Sequence, residues 1–325
     1  MKEQALTVLE KWDQARILVV GDLILDRYIW GSVNRISPEA PVPVVLVNRE
    51  TIHLGGAANV LGNLRSMEAQ TSIVGVTGRD QNGSELVGLM DAAGVDTSGI
   101  IRTQHHPTIQ KTRIIAHQQQ VVRVDREKNG GYEASLNETI VKEVFQRLPR
   151  VDAIIVSDYG KGVIHKDLLA KLHSAKGKPT ICVDPKDQNF ANYKGVHILT
   201  PNQAEAERMS GVQITDRPSL MKAAAEIFKV LGCERLLVTR GEKGMALFQS
   251  PENLFEIPTV AKEVYDVSGA GDTVIATYAL SRAVGASARV SAYLSNIAAG
   301  IVVGKLGTAE VSRQEIKDAL LQRDD

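Results

Sequence analysis

The sequence has few cysteines, no net charge and no long apolar run, and each shortage excludes a class of protein. Two cysteines, Cys182 and Cys233, lie far apart in apolar segments, which predicts buried free thiols and excludes a disulfide framework or a cysteine-based zinc site. The 38 basic and 38 acidic side chains balance, which argues against a general nucleic-acid binder. Apolar runs such as 17–20 are far shorter than the roughly 20 residues of a membrane span. Because residues 1–16 predict an amphipathic helix rather than a signal peptide, we expect a soluble, cytoplasmic protein that contacts no membrane.

Hydrophobic residues make up 43% of the chain, enough for a large core, and short apolar runs alternate with helical patterns. The runs lack polar alternation, which is typical of parallel strands buried on both faces. The predicted strands cover residues 17–20, 72–76, 153–157, 180–183, 196–200 and 235–239, and the predicted helices cover 59–67, 84–93, 137–148, 166–175, 203–209 and 219–231. This order predicts an α/β fold with a doubly wound, mostly parallel sheet flanked by helices. Ligands of such folds bind beyond the carboxyl ends of the strands.

Two segments, about 28–52 and 108–126, break this order because apolar and polar residues alternate in them. Alternation of this kind indicates strands with one exposed face, so we predict a small antiparallel lid outside the main sheet. The sequence shows no internal repeat and no long linker. We therefore expect a single domain over residues 1–325.

The strongest chemical signal is the segment 266–272, DVSGAGD, which precedes a predicted helix. Gly269, Ala270 and Gly271 are small enough to let the backbone approach a ligand, and the first N–H groups of a helix suit a phosphate. Asp272 could then take a proton from a hydroxyl that attacks this phosphate. Alternatively, Asp272 only caps the helix. No P-loop motif occurs, and Val274 stands where the third glycine of G-x-G-x-x-G would be, so two common nucleotide-binding folds are disfavoured.

This segment resembles the C-terminal signature of the PfkB/ribokinase family of carbohydrate kinases. Residues 55–59, GGAAN, resemble the N-terminal signature of the family, and 200–205, TPNQAE, resemble its N-x-x-E motif, with Thr200 where many members have Asn. Residues 239–244, TRGEKG, resemble the turn that lies along ATP. The motifs occur in the family's order and span nearly the whole chain. The resemblance implies a ribokinase-like fold and a kinase that uses ATP and Mg²⁺.

The resemblance also implies a role for each motif. Asp272 would be the catalytic base, while Gly269, Ala270 and Gly271 would stabilise the transferring phosphoryl group with backbone N–H groups. Asn202 and Glu205 would hold Mg²⁺ through water, although Glu205 could instead be an ordinary acid at a helix start. The remaining residues predicted to contact the nucleotide are Thr239, Gly241 and Gly244 from the turn and Lys186 from another strand end.

The sugar is expected at the first strand and the lid. Carboxylates that follow a strand suit sugar hydroxyls as hydrogen-bond acceptors, although a lone Asp is more often a turn residue. Backbone amides at two glycines and the side-chain amide of an asparagine would also bind the sugar. Cations would bind any phosphate that the sugar carries. Each lysine among them could instead be an ordinary solvated surface residue. The predicted set is Asp22, Asp26, Asn34, Arg35, Gly55, Gly56, Asn59, Lys111, Asp158 and Lys161.

Further segments resemble the bacterial D-glycero-β-D-manno-heptose 7-phosphate kinases: 21–28, 36–43, 157–162 and 183–186. This implies phosphorylation of the anomeric O1 to a 1,7-bisphosphate, for ADP-heptose and lipopolysaccharide core synthesis, and a homodimer formed through the lid. The adenylyltransferase motif H-x-G-H, often fused to such kinases, does not occur, so the resemblance covers the kinase part. The alternatives are another sugar or sugar-phosphate kinase of the family and a non-catalytic sugar- or nucleotide-binding regulator.

Overall fold

Two separate sheets form the framework of the protein. The computed structural model describes residues 1–117, 119–175, 179–261, 264–305 and 309–323. Gln118, within the predicted lid, lies outside the described residues. The strands are β1 (Arg16–Gly21), β2 (Leu23–Ile36), β3 (Pro43–Gly56), β4 (Gln70–Gly78), β5 (Asp96–Thr103), β6 (Ile109–Ala116), β7 (Gln119–Arg126), β8 (Ala153–Ser157), β9 (Thr180–Asp184), β10 (Ile198–Leu199), β11 (Leu236–Thr239), β12 (Met245–Ser250) and β13 (Asn253–Ile257).

The central sheet has nine strands in the order β13-β12-β11-β10-β9-β8-β1-β4-β5. The seven strands from β11 to β5 run parallel, whereas the pairings β11–β12 and β12–β13 are antiparallel. The chain leaves from β1 in both directions along the sheet, which confirms the doubly wound arrangement. The carboxyl ends of the parallel strands therefore meet at one edge, where β1, β8 and β9 lie side by side.

Core residues cover both faces of this sheet, which is why the strand sequences lack polar alternation. Along β1, Ile17 and Val19 belong to one core layer, whereas Leu18 and Val20 belong to the other. Both cysteines are free and buried, as predicted. The helices of the two layers are α1 (Lys2–Leu9), α2 (Ala57–Ser66), α3 (Gln81–Ala92), α4 (Ala134–Arg147), α5 (Lys166–Ser174), α6 (Gln203–Ser210), α7 (Arg217–Leu231), α8 (Ala270–Ala283), α9 (Ala288–Val302) and α10 (Arg313–Leu321).

The second sheet forms the lid, with the strand order β3-β2-β6-β7. Two of its three pairings are antiparallel, while β2 and β6 run parallel. A single residue, Asp22, separates β1 of the central sheet from β2 of the lid. Asp26, Tyr28 and Trp30 share one face of the lid, since Tyr28 stacks on Trp30 at 6.2 Å and Arg113 bonds Asp26 and covers the Tyr28 ring. The lid is therefore connected directly to the first strand of the central sheet.

Within the described part of the chain, no helix has the length and apolar character required to cross a bilayer.

Candidate active site

Asp272 is the centre of the site, in the first turn of α8 at the carboxyl edge of the central sheet. Its side chain is 5% exposed. Asn59, near the start of α2, donates to its Oδ2 at 2.6 Å, and the Tyr159 hydroxyl donates to its Oδ1 at 3.0 Å. The two donors fix the orientation of the carboxylate. The predicted pair Asp272 and Asn59 therefore come together although 213 residues separate them.

The burial of this carboxyl changes its acid–base behaviour. Burial raises the pKa of Asp272 to about 6, against the hydrogen bonds from Asn59 and Tyr159, which lower it. The pKa of Tyr159 is raised well above its usual value, again mainly by burial, so its hydroxyl keeps the proton that it donates. Near neutral pH the site thus holds an ionised carboxylate of raised basicity, which is suited to accept a proton from a bound hydroxyl.

At the start of α8, two backbone amides have no hydrogen-bond acceptor among the described residues. Gly269 has a positive φ of 80°, a conformation that strongly favours glycine. The N–H of Ala270 bonds back to Val267, and that of Thr273 bonds to the Gly269 carbonyl. The amides of Gly271 and Asp272 between them belong to the first turn, which has no intrahelical acceptor for them. A side chain added at Gly271 would enter open space, so the turn is bare on its outer side.

Asp22 is fully buried under the loop that follows β8. Its carboxylate accepts three backbone N–H groups, from Tyr159, Lys161 and Val163, each at 3.0 Å. Burial raises the pKa of Asp22 to about 6 despite these bonds. The structure therefore places Asp22 as the anchor of the loop that carries Tyr159, and its predicted contact with the sugar stays a prediction.

Asp158 is buried in the same loop, where Asn189 and the Tyr193 hydroxyl donate to its Oδ2 at 2.7 and 2.6 Å. Burial is the main cause of its raised pKa. Its Oδ1 accepts the N–H of Gly160 at 2.7 Å. Asp158 thus ties the loop to Asn189 and Tyr193, and a direct contact with sugar likewise stays a prediction.

Asp26 lies on the lid face near Asp272, and its charge contributes to the raised pKa of Asp272. Arg113 donates to its Oδ1 at 2.6 Å. Gly55 packs directly against it: a Cβ on Gly55 would lie 2.4 Å from the Asp26 Oδ2. Gly56 has a positive φ of 59° and precedes α2. Gly55 therefore lets β3 pass close to Asp26, and Gly56 makes the turn into α2, which carries Asn59.

Two predicted cations, Lys111 and Lys161, lie at the Tyr159 loop. Burial lowers the pKa of Lys111, Asp26 raises it, and the charge of Lys161 lowers it, so the two ammonium groups are electrostatic neighbours. The Lys111 ammonium lies 5.8 Å from the centre of the Tyr159 ring. Lys161 donates to Glu127 Oε1 at 2.7 Å. A positive region therefore adjoins the Tyr159 loop.

The nucleotide-side motifs meet at neighbouring strand ends. Asn202 caps α6, and it forms a capping box with Glu205 in which each side chain accepts the other's backbone N–H at 2.9 Å. Asn202 pairs with Thr239 at the end of β11. Gly241 and Gly244 both have positive φ, and a Cβ on Gly244 would lie 2.0 Å from the Ile257 carbonyl oxygen. Glu205 is thus an acid in the first turn of a helix, as the alternative interpretation predicts, and this position also fits the predicted Mg²⁺ role.

A cluster of acids lies between the two halves of the site. Burial raises the pKa of Asp184, at the end of β9, well above its usual range, and the charges of Asp272 and Glu205 raise it further. Lys186 is close enough to lower it. Among the described residues no three His, Cys, Asp or Glu side chains converge to hold a metal directly. The mutual repulsion of these carboxylates nevertheless fits a divalent cation bound through water, the usual habit of Mg²⁺.

Two predicted residues lie elsewhere. Asn34 and Arg35 are exposed near the end of β2, eight and nine residues beyond Asp26. At roughly 3.3 Å per residue, an extended strand carries them about 26–30 Å away from Asp26. Within this chain they do not reach Asp272, because β2 leads outward into the lid.

Three contributors to the site had no predicted role: Tyr159, Asp184 and Glu127. Tyr159 and Asp184 stand in the segments 157–162 and 183–186, so their motifs were noticed but not their side chains. Glu127 has no local signal, because its contact with Lys161 spans 34 residues. Arg113 likewise has no motif around it, and it pairs with Asp26.

Curated relatives match nearly the whole chain. The protein named "Bifunctional protein HldE" of Desulfatibacillum aliphaticivorans is 46% identical over 312 residues, which cover 95% of this chain and 64% of that protein. The protein of the same name from Citrifermentans bemidjiense is 44% identical over 318 residues, covering 97% of this chain and 65% of that protein. The chain thus spans a little under two thirds of these relatives' length.

Solved structures share the fold. The Arabidopsis thaliana ribokinase complexed with ribose and ATP superposes with a TM-score of 0.73 at 19% identity, covering 94% of this chain and 98% of that one. Phosphofructokinase-2 from Escherichia coli, in complex with substrates and products, gives a TM-score of 0.75 at 18% identity, with the same coverage of both chains. These likenesses confirm the ribokinase-like fold.

The family assignment agrees with the geometry around Asp272. The family model described as "pfkB family carbohydrate kinase" matches residues 14–315, which include all four predicted motifs. Kinases of this family use ATP with Mg²⁺. The protein is a sugar kinase that belongs to the pfkB family of carbohydrate kinases.

Proposed function

We propose that this kinase phosphorylates the anomeric hydroxyl of a sugar phosphate, specifically D-glycero-β-D-manno-heptose 7-phosphate, and gives the 1,7-bisphosphate. The observation that carries the proposal is the buried Asp272 carboxylate beside the Lys111–Lys161 region. A base and a cationic region so close together suit a substrate with a hydroxyl at one end and a phosphate at the other. The segments 21–28, 36–43, 157–162 and 183–186, which resemble heptose 7-phosphate kinases, favour this sugar. The product would serve ADP-heptose and lipopolysaccharide core synthesis in the cytoplasm, where ATP is available.

Asp272 is the group that accepts the proton in this proposal. When the sugar O1 attacks the phosphoryl group, its proton passes to Asp272 Oδ, while Asn59 and Tyr159 keep the carboxylate in position. An anomeric hydroxyl is more acidic than an ordinary alcohol, so a carboxylate with a pKa of about 6 is an adequate base. The free amides at Gly271 and Asp272 lie where they can stabilise charge on the transferred group.

The cofactors would lie on the opposite side of Asp272 from the lid. ATP supplies the phosphoryl group, and Mg²⁺ neutralises its charge during transfer. We place Mg²⁺ through water beside Asn202 and Glu205, with Asp184 close by. The strand ends at Thr239 and the glycine turn at Gly241 and Gly244 would lie along the nucleotide, and Lys186 would meet its phosphates.

The lid would close over the sugar and pair with the lid of a second copy. The lid exposes a set of large apolar side chains: Ile36, Val42, Leu46, Val47, Val121, Val122 and Val124. A homodimer would cover them and would also give Asn34 and Arg35 a second subunit to act on. Analytical ultracentrifugation of the wild type should show a dimer, and Val122→Glu with Val124→Glu should shift it toward the monomer. A monomeric wild type at micromolar concentration would contradict this arrangement.

The decisive experiment is a panel of sugar phosphates assayed for ADP release, with the product identified by phosphorus NMR. We expect turnover of the heptose 7-phosphate and a new phosphate signal on the anomeric carbon. Exclusive turnover of a hexose phosphate, such as fructose 1-phosphate or tagatose 6-phosphate, would assign the enzyme to another specificity within the family. Absence of turnover with the heptose 7-phosphate would contradict the proposal.

A further inference from the structure

An ion pair between Arg113 and Asp26 joins two strands of the lid, and the sequence motifs do not account for its cation. Arg113 Nη1 donates to Asp26 Oδ1 at 2.6 Å, and the two side chains are 22% and 9% exposed, respectively. Strands β2 and β6 run parallel in a register that places Arg113 beside Tyr28, two residues beyond Asp26. Arg113 therefore bonds Asp26 diagonally, along the face of the lid that both residues share.

This face of the lid adjoins the base. The same register places Lys111 beside Asp26, and the Lys111 ammonium lies 5.8 Å from the centre of the Tyr159 ring. The Tyr159 hydroxyl in turn donates to Asp272 Oδ1 at 3.0 Å. The charge of Asp26 contributes to the raised pKa of both Tyr159 and Asp272, which agrees with this proximity. A ligand at Asp272 therefore has Asp26 as a neighbour on the lid side.

The two carboxylate oxygens of Asp26 differ in their hydrogen bonds. Oδ1 accepts the bond from Arg113, whereas Oδ2 accepts none within the described part of the chain. Oδ2 is not fully buried, so a ligand can reach it. Gly55 keeps the space beside this oxygen free of a side chain, since a Cβ there would lie 2.4 Å from Oδ2. An accessible carboxylate oxygen without a donor is a suitable acceptor for a sugar hydroxyl.

Aromatic rings support the guanidinium of this pair. Arg113 lies 5.2 Å from the centre of the Tyr28 ring, and the face of such a ring attracts a cation. Tyr28 stacks on Trp30 at 6.2 Å and meets the His53 ring edge-on at 5.4 Å. Because these neighbours fix Tyr28, they also fix Arg113, and the bond from Arg113 to Oδ1 sets the direction of the Asp26 carboxylate.

We infer that Arg113 is a positioning residue, which holds one oxygen of Asp26 and thereby keeps the other directed at the sugar. The inference rests on the sugar contact that the proposed function predicts for Asp26, and it is independent of which sugar is bound. A buried carboxylate that loses its cation is left with an uncompensated charge, and Lys111 is the cation beside it on β6. Without Arg113, Asp26 would therefore turn toward Lys111, and the sugar would lose its acceptor.

Steady-state kinetics of Arg113→Met test this role. The substrate is the heptose 7-phosphate or, if the wild type does not turn it over, the sugar of the panel that it does. We expect the KM for the sugar to rise about tenfold or more, as loss of a charged hydrogen bond commonly causes, while kcat and the KM for ATP change by less than about threefold. Arg113→Lys keeps the charge without the planar fork and should recover part of the affinity.

Arg27→Met is the matched control. Arg27 is also 22% exposed and ion-paired, with Glu50 and Glu85, but it follows Asp26 directly in β2 and so lies on the opposite face of the lid. The KM for the sugar should stay unchanged in this variant. An equal rise of that KM in Arg27→Met would assign the effect to the stability of the lid and overturn the inference.

A double variant shows whether Arg113 acts through Asp26. Asp26→Asn should raise the KM for the sugar about tenfold or more, and adding Arg113→Met should raise it less than about threefold further, because both changes remove the same acceptor. Two effects that multiply would mean that Arg113 acts on the sugar independently of Asp26 and would overturn the positioning role.

The double variant also guards against a folding defect. It removes both charges, so no uncompensated carboxylate remains buried, and it should melt at a higher temperature than Arg113→Met alone. If Arg113→Met does not fold, Arg113→Lys takes its place in the same comparison. An unchanged KM for the sugar in Asp26→Asn would overturn the inference, whereas a wild type that turns over another sugar of the panel contradicts the proposed substrate alone.

Discussion

Asp22 and Asp272 are two buried carboxyls at the same sheet edge, and burial raises the pKa of each to about 6. They differ in their donors. Asp22 accepts three backbone N–H groups of one loop, whereas Asp272 accepts side-chain donors from two separate segments. Backbone donors cannot rotate away, so Asp22 holds structure. Side-chain donors can yield to a ligand, so Asp272 is free to do chemistry. A shifted pKa alone does not distinguish the two roles; the type of donor does.

Asp272→Asn tests the chemical role in this comparison, and we expect it to have the largest effect on activity. The amide cannot accept the sugar proton, so kcat should fall by about 100-fold or more, as loss of a general base commonly causes. Because Asn has nearly the same shape, the free energy of unfolding should change little. Steady-state kinetics and urea denaturation measure the two quantities, and turnover near the wild-type rate would refute the role of Asp272 as base.

Asp22→Ala tests the structural role, and we expect it to lower the stability of the folded protein. It leaves three N–H groups without an acceptor, that of Val163 buried and those of Tyr159 and Lys161 partly buried. A buried group without a partner costs about 1–3 kcal/mol and a partly buried one less, so stability should fall by about 2 kcal/mol or more. Urea denaturation measures this loss. Asp22→Asn is the matched control, since its amide oxygen retains part of the hydrogen bonding, and it should be intermediate. A fully stable Asp22→Ala protein would contradict the anchor role.

The pH dependence sharpens the comparison. Asp272 acts as a base only when ionised, so kcat/KM should fall about tenfold per pH unit below pH 6 and level off above it. Tyr159→Phe removes a hydrogen bond that lowers the pKa of Asp272, so the acid limb should move to higher pH, with kcat reduced by about tenfold. An unmoved limb in Tyr159→Phe would assign the titration to another group.

The smallest effects are expected at the cations. Lys161→Ala should raise the KM for the phosphorylated sugar severalfold and that for ATP much less. Glu127→Gln should lower the KM for the sugar about twofold, because it releases Lys161 from its ion pair. Lys171→Ala, an exposed lysine on α5, serves as the control. A larger change in the KM for ATP than in that for the sugar would move Lys161 to the nucleotide.

The fold was largely predictable because the parallel strands are buried on both faces and therefore read as continuous apolar runs. Strands β5, β12 and β13 were not predicted; β13, for example, is partly exposed and short. Helix α9 was missed because it is buried nearly all round, which removes the polar face that marks a helix in a sequence.

The site was predictable only where a motif carries its own chemistry. Asp272, Asn59, Asn202 and Glu205 each stand in a local pattern, and the structure brings them to one edge of the sheet. Contacts between distant segments left no such pattern: Arg113 reaches Asp26 across 87 residues, and Tyr159 reaches Asp272 across 113. Asn34 and Arg35 were placed in the site because sequence distance says nothing about the direction in which β2 extends.

The one-residue junction between β1 and β2 fixes which side chains of β2 lie on each face of the lid. Side chains alternate between the two faces of a strand, so inserting a single residue at Asp22 would turn every following side chain of β2 over. Asp26, Tyr28 and Trp30 would then lie on the opposite face of the lid, and Arg27 and Ile29 would replace them. Whether the number of residues at this junction is odd or even, rather than any individual contact, decides which face of the lid carries Asp26.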